Sequence, residues 1–188
     1  MKVLFVCDGN ICRSPMAEAL MRQTLADRNI DGIEVSSSGL VASPWSVAHA
    51  LLRRVLGPAY QLVENRRSQP LTKELVHGSD LILGMENRHV VEIIKRYPKY
   101  HGRVDKITSY AGRDGEVKDF PDSEYGDVFT WLRHCHSIML PCVETIADRL
   151  VRERENESVA SGKTGKRGRL IRTCVAKTLG LLDSNRSS

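Results

Sequence analysis

The chain has 188 residues, a formal net charge of +5, five cysteines and 41% hydrophobic residues. That length suits one α/β domain with an appendage rather than two full domains. No run approaches the ~18 apolar residues of a membrane-spanning helix, and the start does not read as a secretory signal. The cysteine usage fits a reducing, cytoplasmic compartment better than a disulfide framework. The positive charge is modest for a nucleic-acid binder and mostly local, since residues 151–188 hold nine Lys/Arg against four Asp/Glu.

In chain order, residues 2–7 (KVLFVC) are mostly apolar or β-branched and predict a buried strand. Ser14-Pro15 ahead of Met16-Ala17-Glu18-Ala19-Leu20 predicts a helix over 14–28 with Ser14 as its N-cap. A strand is expected at 33–37, a helix from Pro44 to residue 56, and a short helix over 71–77 with Thr72 as its cap. The apolar run 81–85 predicts a strand, 87–97 a helix that Pro98 stops, and 104–108 a fourth strand. From 125 to 154 apolar residues recur at helical spacing, with Pro141 as a kink point. Strands separated by helices imply a three-layer α/β fold, a parallel sheet covered on both faces with its ligand site at the carboxyl ends of the strands.

The turn between the first strand and the first helix, Cys7 to Ser14 (CDGNICRS), holds the chemistry. A strand that passes through a tight Gly/Asn turn into a helix N-terminus aims several amides and the positive helix end at one point, which attracts an oxyanion. The same field favours a thiolate, because thiols beside helix N-termini and cations ionise more readily. Cys7 is therefore the candidate nucleophile. Arg13, six residues on, can bend back over the same centre and hold two phosphoryl oxygens with its planar fork. Ser14 can donate to the Cys7 sulfur when that sulfur leaves, and Asn10 tolerates a left-handed backbone and can lock the loop with its amide. Asp8, Gly9, Asn10, Ile11, Cys12, Arg13 and Ser14 are the expected phosphate-binding residues.

This stretch, with the form CDGNICRSPMAEA, resembles the signature of the low-molecular-weight protein tyrosine phosphatases. The resemblance continues through residues 35–39 (VSSSG), 69–75 (QPLTKEL), 79–89 (SDLILGMENRH) and 119–127 (DFPDSEYGD), and covers roughly the first 150 residues. It implies a four-stranded parallel sheet in the order 2-1-3-4, hydrolysis of phosphotyrosine through a cysteinyl-phosphate intermediate, no cofactor, and phosphorylated protein as substrate.

Phosphate-ester cleavage also needs a proton for the leaving oxygen. Asp119 and Asp122, in the loop after the fourth strand, are the carboxylic candidates. Phe120-Pro121-Asp122 aligns best on the family's acid motif, which selects Asp122 with Asp119 as the alternative. Ser123 and Glu124 depart from the family pattern there, leaving Glu124 and Tyr125 to line the substrate pocket. Trp45 aligns within the first turn of the second helix rather than on the pocket wall, and Arg66 stands where relatives carry a histidine that braces the loop asparagine. Glu124, and Asp8 if its carboxylate faces outward, would favour basic substrates. Part of the chain also resembles the branch of the family that removes phosphate from arginine, but Ile11 stands where that branch has threonine and suits an aromatic ring better.

Cys12, five residues from Cys7, is close enough in the chain for a reversible disulfide that shields the nucleophile. Cys135 and Cys142 lie on one helical face as core, and His134 and His136 diverge on a helix, so no metal is implied. The expected organisation is a phosphatase domain over 1–154, a basic flexible linker over 155–169 and an amphipathic extension over 170–188. Residues 157–188 suit self-association or weak contact with an acidic surface. The alternatives to a tyrosine phosphatase are a protein arginine phosphatase, an arsenate reductase, which would need further relay cysteines, and a non-catalytic phosphate-binding module.

Overall fold

The apolar run at the start of the chain forms β1 (Lys2–Cys7), in which Val3 to Cys7 are all buried. The structure, a computed structural model, describes residues 1–120 and 125–160. Three more strands, β2 (Glu34–Gly39), β3 (Leu81–Gly84) and β4 (Arg103–Lys106), complete one sheet of order β2-β1-β3-β4 with every neighbouring pair parallel. The register pairs Cys7 with Gly39 and Val6 with Gly84, so β1 ends level with β2 and one residue beyond β3. In a sheet where the chain leaves β1 first to one side and later to the other, the crevice beyond the carboxyl end of β1 is the natural ligand position.

Side chains alternate across β1. Leu4 and Val6 pack with Ile82 of β3, with Leu71 and Val76, and with Ile93. Val76 belongs to α3 (Lys73–His77), capped by Thr72 as its sequence predicts, and Ile93 to α4 (Asn87–Arg96), which ends before Pro98. Burying Leu4, Val6, Ile82 and Ile93 completely is worth about 1.5–3 kcal/mol for each side chain. On the other face α1 (Arg13–Asp27) lies against β1 and β2. Arg28 at its end donates to Asp148 at 2.8 Å, tying α1 to the closing helix α6 (Val128–Ala160). Asp127 caps α6 by accepting from the Phe129 and Thr130 amides at 2.8 and 3.0 Å. Pro141 lies inside this helix.

The expected helix over 44–56 is reduced to α2 (Leu52–Leu56), followed by a 3-10 turn, Gly57–Leu62. The residues before it are claimed by longer-range backbone bonds. His49 donates to the Ile11 carbonyl, Ser68 donates to the Ser46 carbonyl, and Val47 bridges Arg67. Helical i to i−4 bonds would leave those partners unpaired. The fourth strand is shorter than expected, because Ile107–Tyr110 turns into the short helix α5.

The chain divides into a unit Met1–Arg149, which holds the sheet, and a second unit from Leu150, whose described part, 150–160, is helical. Helix thus continues through 155–160, the first residues of the expected linker. The rest of that linker and the expected extension over 170–188 lie outside the described residues, as does Cys174. No helix among the described residues is long and apolar enough to cross a membrane.

Gly39, at the end of β2, is where the sheet meets the Cys7 loop. A Cβ there would lie 2.3 Å from the Asp8 carbonyl oxygen and 2.8 Å from the Asn10 nitrogen, both backbone atoms that cannot rotate away. Gly39→Ala is expected to lower stability by about 1–3 kcal/mol, the cost of overpacking, and to disturb the loop. Denaturant titration checks the first, and a normal midpoint would contradict it.

Candidate active site

Residues Cys7 to Arg13 leave β1 and reach α1 through one tight turn, and Asn10 at its apex has φ 52°. That left-handed backbone costs a non-glycine residue about 1–2 kcal/mol, and asparagine offsets it with local hydrogen bonds. Asn10 is 3% exposed and makes five hydrogen bonds, two within the loop and three to residues beyond it. Its amide donates to Cys7 Sγ (3.3 Å), and its Nδ2 donates to Ser14 Oγ (2.9 Å) and Ser37 Oγ (2.8 Å). Its carbonyl accepts from Ser68 Oγ (2.9 Å) and its Oδ1 from the Gln69 amide (2.8 Å).

The loop carbonyls face away from its centre. Leu40, Val41 and His49 donate their amides to the carbonyls of Cys7, Asp8 and Ile11, and Ser68 takes that of Asn10. In a trans peptide the N–H points opposite the C=O, so the amides of Asp8, Gly9, Ile11 and Cys12 turn toward the interior of the loop. Successive inward amides ahead of a helix N-terminus form an anion cradle.

Ser14 corrects the expected helix start. Cys12 occupies the N-cap position without a side-chain cap, because the Ser14 hydroxyl is engaged within the loop. It lies 3.1 Å from Cys7 Sγ, accepts from Asn10, and has the Ser38 carbonyl at 3.1 Å as a second acceptor for its single proton. Below it a buried chain runs from Ser37 Oγ to Glu18 Oε2 (2.7 Å). Fully buried Glu18 is paired there with Arg22 at 2.8 Å and with Arg66. Arg66 therefore reaches the loop asparagine through Ser37 and Glu18 rather than directly.

Arg13 is 3% exposed, and protein acceptors occupy its terminal nitrogens. Nη1 donates to Glu86 Oε1 (2.5 Å) and the Val117 carbonyl (3.2 Å), while Nη2 meets Asp8 Oδ2 (2.9 Å) and Asp119 Oδ2 (3.1 Å). Arg88, at the start of α4, also binds Asp8 and Glu86. The Asp8 carboxylate is thus turned into an ion-pair network, not outward as a free charge that selects basic substrates. Buried His89 accepts the Glu86 amide at Nδ1 (3.0 Å), so a neutral ring carries its proton on Nε2, 3.3 Å from Asp8 Oδ2. Asp8, Glu86 and His89 offer three ligand atoms close together, but guanidinium groups already neutralise both carboxylates.

Burial works to raise the Asp8 carboxyl, yet the Arg88 hydrogen bond and the charges of His89, Arg88 and Arg13 outweigh it and hold Asp8 at about 2. Glu86 is likewise lowered against its burial by Arg88 and Arg13. Burial pushes His89 below its ordinary value, and pushes the Cys12 thiol up to about 12 with help from Cys7. Cys135 and Cys142 are buried in α6 and raised by burial as well.

The structure therefore brings Cys7, Asp8, Gly9, Asn10, Ile11, Cys12, Arg13 and Ser14 into one loop. Asp119 joins them through Arg13. Tyr125 stacks on His134 with ring centroids 5.1 Å apart. Asp122 and Glu124 lie outside the described residues. Trp45 is not in a helix but in the irregular stretch beside the loop, 83% exposed. Sequence reasoning missed Glu86, Arg88 and Val117 as partners of the site; the one available signal was the ENRH run directly after β3.

The family described as low molecular weight phosphotyrosine protein phosphatase matches residues 2–156. A protein-arginine-phosphatase of Bacillus subtilis is 38% identical over 120 residues, covering 63% of this chain and 79% of its own. The low molecular weight protein-tyrosine-phosphatase PtpA of Staphylococcus haemolyticus is 37% identical over 133 residues, covering 68% and 80%. A solved structure of the YwlE arginine phosphatase, a cysteine-to-serine mutant with a phosphorylated active-site serine, is 29% identical. It covers 82% of this chain and 99% of that one, with a TM-score of 0.71.

The shifted groups set a pH dependence. A carboxyl held below its ordinary 3.8 stabilises the fold above that value, and the contribution is lost as pH falls through about 2. His89, held below 6.5, contributes above 6.5 and loses its contribution as pH falls. Thermal melts are expected to show Asp8→Asn losing less stability than the parent between pH 3.8 and about 2. Parallel curves would contradict the Asp8 assignment.

Proposed function

The chain belongs to the low molecular weight phosphotyrosine protein phosphatase family, and from that membership we propose that it hydrolyses phosphotyrosine in proteins with Cys7 as nucleophile. The observation that carries this reading is the set of outward carbonyls around Cys7, which leaves a ring of amides for three phosphoryl oxygens. Uncatalysed hydrolysis of phosphate monoesters is so slow that enzymes accelerate it by up to ~10²¹. Charge at the phosphoryl group and at the leaving oxygen must both be managed.

In the first step the Cys7 thiolate attacks phosphorus. The S–P bond forms as the P–O ester bond breaks, and the departing electron pair stays on the ester oxygen. Asp122 gives that oxygen its proton. Arg13 keeps its Nη1 edge on Glu86 and the Val117 carbonyl and turns the rest of its fork to phosphoryl oxygens. In the second step the Asp122 carboxylate takes a proton from water, the water oxygen bonds to phosphorus, and the S–P bond breaks with its electrons on sulfur. Ser14, 3.1 Å away, donates to the departing sulfur.

An aromatic leaving group suits what borders the loop. Ile11 is apolar, Trp45 presents an uncovered indole on a stretch bonded to the Ile11 carbonyl through His49, and Tyr125 and Glu124 complete the proposed pocket. The second reading is an arginine phosphatase, favoured by the Bacillus subtilis relative. An arsenate reductase would need a thiol relay; Cys135 lies near enough to the loop to act on Cys12, but burial raises the thiols of Cys12, Cys135 and Cys142 and disfavours the thiolates that a relay needs. A module that only binds phosphate would show no turnover. Phosphorylated proteins are then the partners, with the basic residues of 157–188 as a further surface for a second copy or an acidic partner. A nucleophile that must stay reduced implies a cytoplasmic location.

Hydrolysis of p-nitrophenyl phosphate and of matched phosphotyrosine and phosphoarginine peptides tests the reading. Cys7→Ser is expected to abolish turnover, and Asp122→Ala to lower kcat about 10²-fold or more, the scale of general acid catalysis. Faster release of phosphate from phosphoarginine would select the second reading, and binding without hydrolysis by the parent chain would overturn both.

A further inference from the structure

The proposed chemistry leaves Arg88 without a task. Its side chain is 50% exposed. Nη1 donates to Asp8 Oδ1 at 2.7 Å, and Nη2 donates to Asp8 Oδ2 and, at 2.8 Å, to Glu86 Oε1. Arg88 and Arg13 thus share acceptors, Asp8 Oδ2 and Glu86 Oε1. The third carboxylate, Asp119, is 3.1 Å from Arg13 and 3.9 Å from Arg88.

These contacts do not divide evenly between the two ends of Arg13. The Nη1 end is anchored by Glu86 and the Val117 carbonyl, so it fixes the plane of the guanidinium. The Nη2 end holds Asp8 and Asp119, and any phosphoryl group that uses it must displace a carboxylate. Three carboxylates against two guanidiniums already leave the cluster negative before a dianion arrives. A displaced carboxylate left without a cation would repel that dianion at close range. Arg88 meets Asp8 with two N–H bonds, the strong geometry for a carboxylate, one on Oδ1 and one on the Oδ2 that Arg13 also holds.

We propose that Arg88 is a positioning residue for the phosphoryl site, a clamp that takes the Asp8 carboxylate off Arg13 when a phosphate dianion docks. It acts through Asp8 and touches no substrate. This rests on the reading of the Cys7 loop as a phosphate site. Without Arg88 the Asp8 carboxylate stays on Arg13 and competes with the incoming group. Without Asp8 the clamp keeps only Glu86, which Arg13 also holds, and its loss costs little.

Steady-state kinetics on p-nitrophenyl phosphate, with calorimetric titration of inorganic phosphate, test this on the full chain, Arg88→Ala, Arg88→Lys, Asp8→Asn and the Asp8→Asn/Arg88→Ala double variant. Arg88→Ala is expected to raise KM and the phosphate dissociation constant together by about fivefold or more, the scale of losing a charge-assisted pair, with the loss in KM rather than kcat. Arg88→Lys keeps the charge without the fork and is expected to fall between. The double variant is expected to match Asp8→Asn, since the competitor is gone. Unchanged phosphate affinity in Arg88→Ala, or a double variant as impaired as Arg88→Ala, overturns the clamp. Should Arg88→Ala not fold, the comparison of Arg88→Lys with its own Asp8→Asn double decides in the same way. A parent chain without turnover defeats the phosphatase reading alone, and the phosphate titrations still decide the role of Arg88.

Discussion

A peptide unit carries its donor and acceptor on opposite edges, so a loop whose carbonyls are satisfied from outside commits its amides to the inside. Everything around Cys7 maintains that arrangement. Leu40, Val41 and His49 hold three loop carbonyls from the stretch after β2, and Ser68 with Gln69 pins Asn10 from beyond α2. Gly39 lets this second layer approach, because any Cβ would strike the Asp8 carbonyl. The strain at Asn10 persists because five hydrogen bonds determine it. The sheet supplies the frame, with β1 ending level with β2 and one residue beyond β3, so that loop, partner stretch and helix N-terminus meet at one place.

Charge is layered around the same place. Beneath the loop, Glu18 is fully buried and neutralised by Arg22 and Arg66, a pairing that its burial requires. Above the loop, buried Arg13 would be a costly isolated cation, and Glu86, Asp8 and Asp119 supply its counter-charge. The two ends of Arg13 differ in kind: one is tethered by Glu86 and a backbone carbonyl, while the other meets the carboxylates of Asp8 and Asp119.

The local parts of this design were legible in the sequence. The strand, the turn and the helix of 2–27 follow from apolar patterning and from Gly/Asn chemistry, and the Cys7 to Arg13 spacing places both side chains at one point. The parallel sheet followed from alternating elements, its order from the family resemblance alone. What could not be read is set by pairings distant in the chain. Residues 44–51 look helical until Ser68 and the Ile11 carbonyl claim their backbone. Ser14 looks like a cap until Cys7, Asn10 and Ser38 compete for its hydroxyl. Asp8 looks like an exposed charge until β3 brings Arg88 and His89 beside it, a proximity that only strand order creates.

The central claim is that the phosphoryl group passes through the Cys7 sulfur. Mixing the enzyme with excess substrate, quenching in acid within the first turnovers and mapping the phosphorylated peptide by mass spectrometry tests it most directly. One phosphoryl group on the peptide that contains Cys7, absent when Cys7 is replaced, is the result this account predicts. Phosphate release that continues after Cys7→Ser, or label carried by any other residue, would contradict it.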